Sequence, residues 1–239
     1  MYRLEGAYKT SVLRESFKGG NALFTSPKFP IKCGGAPQKI LYLCEEAWRK
    51  SGVRDRTSLK YYAAVPVMFP PNDEFSEALN EVCLSKGIEQ NFMHDLTSID
   101  KDNRVATFTD LKSGETVKQD FDFLHFVPPQ SSPAFIRSSP LAHESGWLDV
   151  DIGTLRHTKY ANIFGHGDVC NLPTSKTAAA IYSQTPVLVQ NILKQLGEAD
   201  KEARYDGYSA CPVFVGDQKL VLCEFKYGRE TSTSFYKDQ

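Results

Sequence analysis

Apolar and polar positions follow two different periods along this chain. Residues 21–25 (NALFT) form a short continuous apolar run, the mark of a buried strand. From Pro37, a favoured first position of a helix, Ile40, Leu41, Cys44, Ala47 and Trp48 recur at helical spacing until Gly52 closes the run. Residues 59–65 read as a second strand. Asn72 or Asp73 then caps a helix reaching Lys86 and stopped by Gly87, with Glu74, Glu77 and Glu81 on its wet face. Two β segments follow, 104–109 after the turn residues Asp100, Lys101, Asp102 and Asn103, and 116–122 after Ser113-Gly114. A further apolar run, 121–127, ends at Pro128-Pro129. Strands alternating with helices at this spacing predict a three-layer α/β unit with a mainly parallel sheet.

A proline- and serine-rich stretch, 128–140, is the expected domain junction. Residues 162–164 then read as a short strand running into Gly165-His166-Gly167-Asp168. Thr174 is expected to cap a long helix to about Leu196, kinked at Pro186 and followed by Gly197. Segments 212–215 and 219–225, joined at Gly216-Asp217, carry a hairpin signal. There is no internal repeat and no low-complexity tract.

Composition narrows the function. The 239 residues can build a sizeable core, and 41% apolar with 24% charged is ordinary for a globular protein. A formal net charge of −1 gives no reason to expect a nucleic-acid partner. No run of eighteen apolar residues exists, and the N-terminal segment has no secretory h-region. Arg3, Lys9, Arg14 and Lys18 with nearby hydroxyls fit a mitochondrial presequence, whereas Glu5 and Glu15 fit an ordinary surface helix, the reading we adopt. The six cysteines form no CxxC and no metal-ligand spacing, so neither zinc nor, without a secretory signal, a structural disulfide framework is expected.

Three segments carry candidate chemistry. In ANIFGHGD a short apolar strand delivers two glycines and then Asp168, where the backbone can approach a ligand and a carboxylate can meet a sugar hydroxyl; a plain strand-to-loop turn reads the same way. The next segment opens a helix with Lys176, Ala178, Ala179, Ala180 and Ile181. A helix start favours negative charge and the alanines leave room for a flat ring, while close packing of an alanine-rich helix on a sheet fits equally. Cys33 lies among small residues just before a helix start, where a thiolate is favoured, with Lys32 beside it. Cys211 sits at a second loop-to-strand boundary. Two such thiols can meet at one site, one holding a persulfide that the other resolves, although any single cysteine is more often inert core.

The motifs TSPKFPIKCGGAPQKILYL, GHGDVCNLPTSKTAAA and YDGYSACPVFVG, in that order, resemble the eukaryotic mitochondrial sulfide:quinone oxidoreductases over nearly the whole chain, residues 19–225. The resemblance implies an α/β fold of the two-dinucleotide-binding-domain, disulfide-reductase-like flavoproteins. It implies that Cys33 and Cys211 are the redox pair, with the flavin-facing role at Cys33. It further implies that Asp168, Ala178, Ala179, Ala180 and Ile181 contact FAD, and that Lys176 stabilises the reduced flavin. Sulfide would become a cysteine persulfide, its electrons passing through FAD to ubiquinone and its sulfur to glutathione or sulfite, at the mitochondrial inner membrane. Cys170 matches no catalytic cysteine of the family. Cys44, Cys83 and Cys223 read as core, and His166 reads as a solvated loop residue.

This chain departs from the family pattern in having no G-x-G-x-x-G after a first strand: Gly165-x-Gly167 has Cys170 where a third glycine would fall. The expectation is an incomplete FAD site and a segment 162–164 without sheet partners. The expected organisation is an extension (1–18), a second Rossmann-like unit (19–130), a linker and return segment (131–158), and the C-terminal part of an FAD-binding domain with its hairpin (159–239). The alternative is a truncated, non-catalytic relative that binds no FAD and acts, if at all, through a partner. An unrelated thiol–disulfide or nucleotide-binding protein is the third reading.

Overall fold

The computed structural model describes residues 4–234. Helix α1 (Leu4–Ser16) leads into strand β1 (Gly20–Ser26), helix α2 (Ala36–Lys50), strand β2 (Thr57–Ala63), helix α3 (Asp73–Ser85) and strand β3 (Glu89–Phe92). Strands β4 (His94–Asp100), β5 (Val105–Asp110), β6 (Thr116–Asp120) and β7 (Phe123–His125) follow. The remainder holds the short helix α4 (Ala134–Arg137), helix α5 (Ala178–Leu196) and strands β8 (Ser209–Gly216) and β9 (Lys219–Phe225).

The main sheet has the order β3-β2-β1-β7, parallel throughout, with Ala22 opposite Leu59 on one side and Phe123 on the other. Successive side chains of a strand face opposite ways. Ala22 and Phe24 therefore pack with Leu41, Trp48 and Leu79 under α2 and α3, while Leu23 joins Tyr62, Ala106 and Phe108 on the other face. That second face is covered by the antiparallel sheet β4-β5-β6, with the Tyr62 and Phe108 rings stacked at 4.0 Å. The third layer is thus a β-meander rather than helices. Strands β3 and β4 were not foreseen, because EQNF and HDLTSID carry too few apolar residues to mark them; β3 is an edge strand, where polar residues discourage further pairing.

Helix α3 begins where the sequence indicates: the Asn72 side chain accepts a hydrogen bond from the Phe75 N–H at 3.1 Å. Helix α5 begins later than expected. Thr177, not Thr174, is its cap, accepting from the Ala180 N–H at 3.1 Å, while the Thr174 hydroxyl donates to the Gly207 carbonyl at 2.8 Å. The helix runs through Pro186 to a left-handed Gly197. Residues 162–164 form no strand; Phe164 makes an isolated bridge to Arg156, with no neighbouring strand to extend it. The β8–β9 hairpin lays Cys211, Val213, Val215, Cys223 and Phe225 into the same core as α2 and α3.

Candidate functional site

The loop between β1 and α2 places Cys33 at the carboxyl end of a central parallel strand, where ligands of open α/β sheets gather. Its backbone adopts φ +63°, a left-handed conformation that a residue with a Cβ adopts only when its surroundings impose it. Here its N–H donates to the Lys176 carbonyl at 2.7 Å and its own carbonyl accepts from the Ala36 N–H at 2.9 Å. The first of these bonds joins the two candidate regions directly, since Lys176 lies just ahead of α5.

Cys211, fully buried on β8, brings its sulfur to 3.0 Å from that of half-buried Cys33. A disulfide bond measures about 2.05 Å, so this is a contact between two free thiols. The approach depends on Gly35: a Cβ there would lie 2.6 Å from Val213 Cγ2 and 2.8 Å from Cys211 Sγ. Hydrogen bonding from Cys211 holds the Cys33 thiol below its ordinary range, against the opposing effect of burial, with the Lys39 ammonium and the Gly35 N–H adding to it. Cys211 is pushed up, by that same bond and by burial. The asymmetry favours a Cys33 thiolate that accepts from a Cys211 S–H.

Lys39, not Lys32, supplies the positive charge, its Nζ standing 3.7 Å from Cys33 Sγ. The neighbour in sequence pointed to Lys32; the turn of α2 that returns Lys39 over the loop is visible only in three dimensions. Lys39→Met is expected to raise the pH at which Cys33 becomes a thiolate by about one unit. Thiolate is lost as pH falls through the folded value, so the variant should lose iodoacetamide reactivity at a higher pH than the parent. An unchanged alkylation profile would remove Lys39 from the site.

The second group surrounds the start of α5. Asp168 lies in a single 3₁₀ turn, and its Oδ1 is buried with no hydrogen-bond partner among the described residues, as is the Ser175 hydroxyl. Gly167 takes φ +74° and donates its N–H to Gln184 Oε1 at 2.6 Å, a partner the sequence reading missed. Lys176 is buried, donating to the Cys170 carbonyl at 2.5 Å and lying 3.9 Å from the Trp147 ring centroid. Burial lowers its ammonium to about 8. Ala178 is exposed, Ala179 and Ile181 are half-buried and Ala180 is buried, so a small-residue ledge stands at the helix start. Cys44, Cys83, Cys170 and Cys223 are fully buried. Among the described residues no cluster of side chains is arranged to hold a metal, and no helix is long and apolar enough to cross a membrane.

No protein-family model matches the chain. It is 44% identical over 240 residues to the mitochondrial sulfide:quinone oxidoreductase of Dictyostelium discoideum, covering 100% of this chain and 52% of that protein. It is 39% identical over 239 residues to the mitochondrial enzyme of the same name from Mus musculus, covering 100% of this chain and 53% of that one. Its fold matches the crystal structure of the sulfide:quinone oxidoreductase of Aquifex aeolicus with a TM-score of 0.76 at 17% identity, over 95% of this chain and 58% of that one. The chain spans about half the length of the curated relatives it matches. Along its whole length this chain is similar to about half of each mitochondrial sulfide:quinone oxidoreductase, and it shares the α/β fold of the Aquifex aeolicus structure.

Proposed function

We propose that this chain carries the sulfide-oxidising dithiol of a mitochondrial sulfide:quinone oxidoreductase, with sulfide, ubiquinone and a small sulfur acceptor such as glutathione or sulfite as its partners at the inner membrane. The observation that carries the reading is the meeting of Cys33 and Cys211, 178 residues apart in sequence and 3.0 Å apart in space. In the oxidised form of the pair, hydrosulfide attacks Cys211 Sγ. A new sulfur–sulfur bond forms, the Cys33–Cys211 bond breaks, and Cys33 leaves as the thiolate. Cys33 is the better leaving group because Lys39 and the Gly35 N–H stabilise its anion. The acceptor then takes the sulfane sulfur from Cys211, which restores the dithiol for reoxidation.

Asp168, Lys176, Ala178, Ala179, Ala180 and Ile181 would hold FAD. The fit rests on the orphaned, buried Asp168 Oδ1, which calls for a donor such as a sugar hydroxyl, and on the open ledge at the helix start. FAD bound there supplies a two-electron acceptor between the dithiol and the quinone. Lys176, held near neutrality in its ionisation, can offer positive charge to a reduced ring. Purified protein incubated with FAD and desalted should retain flavin absorbance that bleaches when sulfide is added. A colourless protein would overturn the reading for this chain.

A further inference from the structure

We propose that Cys223 is a third redox thiol of this site, which captures Cys211 from the oxidised pair and parks it as a cross-strand Cys211–Cys223 disulfide. The inference rests on the reading of Cys33 and Cys211 as a redox pair.

Cys211 and Cys223 are directly opposite each other in the β8–β9 register. Residues paired in this way point to the same face. Here that face is the inward one, shared by Val213, Val215 and Phe225 against α2 and α3, and both cysteines are fully buried on it. Directly opposed residues of antiparallel strands have Cα atoms about 4.5–5.5 Å apart, inside the roughly 4.4–6.8 Å range that a disulfide spans. The other buried cysteines lack this register: Cys83 is engaged by the Tyr42 hydroxyl at 3.4 Å, and Cys44 and Cys170 lie on other elements. The charges on Cys33 and Lys39 reach Cys223, which places it within the field of the pair. Its thiol is weakly held, donating to the Val221 carbonyl at 3.8 Å.

The step is a thiol–disulfide exchange without an external oxidant. The Cys223 thiol gives its proton to solvent and its sulfur attacks Cys211 Sγ. The Cys211–Cys223 bond forms, the Cys33–Cys211 bond breaks, and Cys33 leaves as a thiolate. No electrons are gained or lost. Burial keeps Cys223 protonated, so capture is slow and competes with sulfide only when sulfide is scarce. The parked form withholds Cys211 from sulfide until a thiol reopens it.

The test oxidises the whole chain with stoichiometric diamide, quenches it with N-ethylmaleimide in acid, and maps linked tryptic peptides by mass. The sequence separates the three cysteines into peptides 33–39, 205–219 and 220–226. The parent should show the 33–39/205–219 link first and the 205–219/220–226 link accumulating later. Cys33→Ser should form the second link alone, and Cys33→Ser/Cys223→Ser should lose it, with circular dichroism confirming that each variant is folded. A parent that forms neither link overturns the redox pair itself. A parent that forms only the first, together with a folded Cys33→Ser that forms none, overturns the role of Cys223 and leaves the pair standing. If Cys33→Ser does not fold, the time course in the parent decides alone: absence of the second link at long times rejects the proposal.

Discussion

Cys33→Ser is expected to leave the fold intact and to abolish the reaction with sulfide. Cys33 is half-buried and serine is nearly isosteric, so packing changes little. What disappears is the leaving group: without it no Cys33–Cys211 bond exists for sulfide to open. The rate at which sulfide generates a cysteine persulfide, followed by intact-protein mass, should fall on the order of a thousandfold or more. Cys211→Ser should be equally inactive but differ in one respect. Its hydroxyl can still donate to the Cys33 thiolate, so Cys33 should remain readily alkylated near neutral pH. In Cys33→Ser the remaining Cys211 thiol is still fully buried, which disfavours its anion and blocks access, so it should alkylate slowly. Equal alkylation rates in the two variants would contradict the assignment of thiolate and donor.

Gly35→Ala should have the second-largest effect, and it acts through space rather than chemistry. Its φ is negative, so alanine suits the backbone; the obstacle is the added methyl, 2.6 Å from Val213 Cγ2 and 2.8 Å from Cys211 Sγ. One of two packed elements must move, and overpacking of this kind costs about 1–3 kcal/mol. Whether α2 or the hairpin yields, the movement separates the thiols. The midpoint of urea unfolding should drop, and the yield of the Cys33–Cys211 link under mild oxidation should fall with it. Gly34→Ala is the control. Its Cβ would meet the Phe29 ring edge at 3.2 Å and the Phe69 ring at 3.6 Å, neither of them on the hairpin, so it should cost less and spare the pair. Equal losses for both glycines would show that general loop flexibility, not the docking of β8 on the start of α2, sets the thiol separation.

Much of this was legible in the chain, for reasons that differ from element to element. The helical spacing of Leu41, Cys44 and Trp48 marks α2 because that helix buries one full face, and the cap at Asn72 is a local bond that sequence can show. The pairing of Cys33 with Cys211 came from resemblance to a family; no periodicity contains it, since it joins residues that meet only after the hairpin docks. Thr174 misled because both it and Thr177 are competent caps, and the choice between them was made by a tertiary bond to Gly207. Lys39, Gly35 and Trp147 were invisible for the same reason: each acts on a residue brought to it by another segment. The edge strand β3 was lost because a strand recruited by its neighbour's backbone needs little apolar patterning of its own.

The 178-residue separation of the two thiols is also an interval of time. At about 5–20 residues per second of synthesis, Cys33 is made roughly 9–36 s before Cys211 exists to meet it. During that interval its sulfur lacks the donor that most favours its anion, and it sits in an unformed loop as an ordinary, sluggish thiol. Completion of the hairpin therefore arms the nucleophile as well as closing the core. A chain interrupted before the hairpin would carry a cysteine too weakly ionised to scavenge the thiols and oxidants around it.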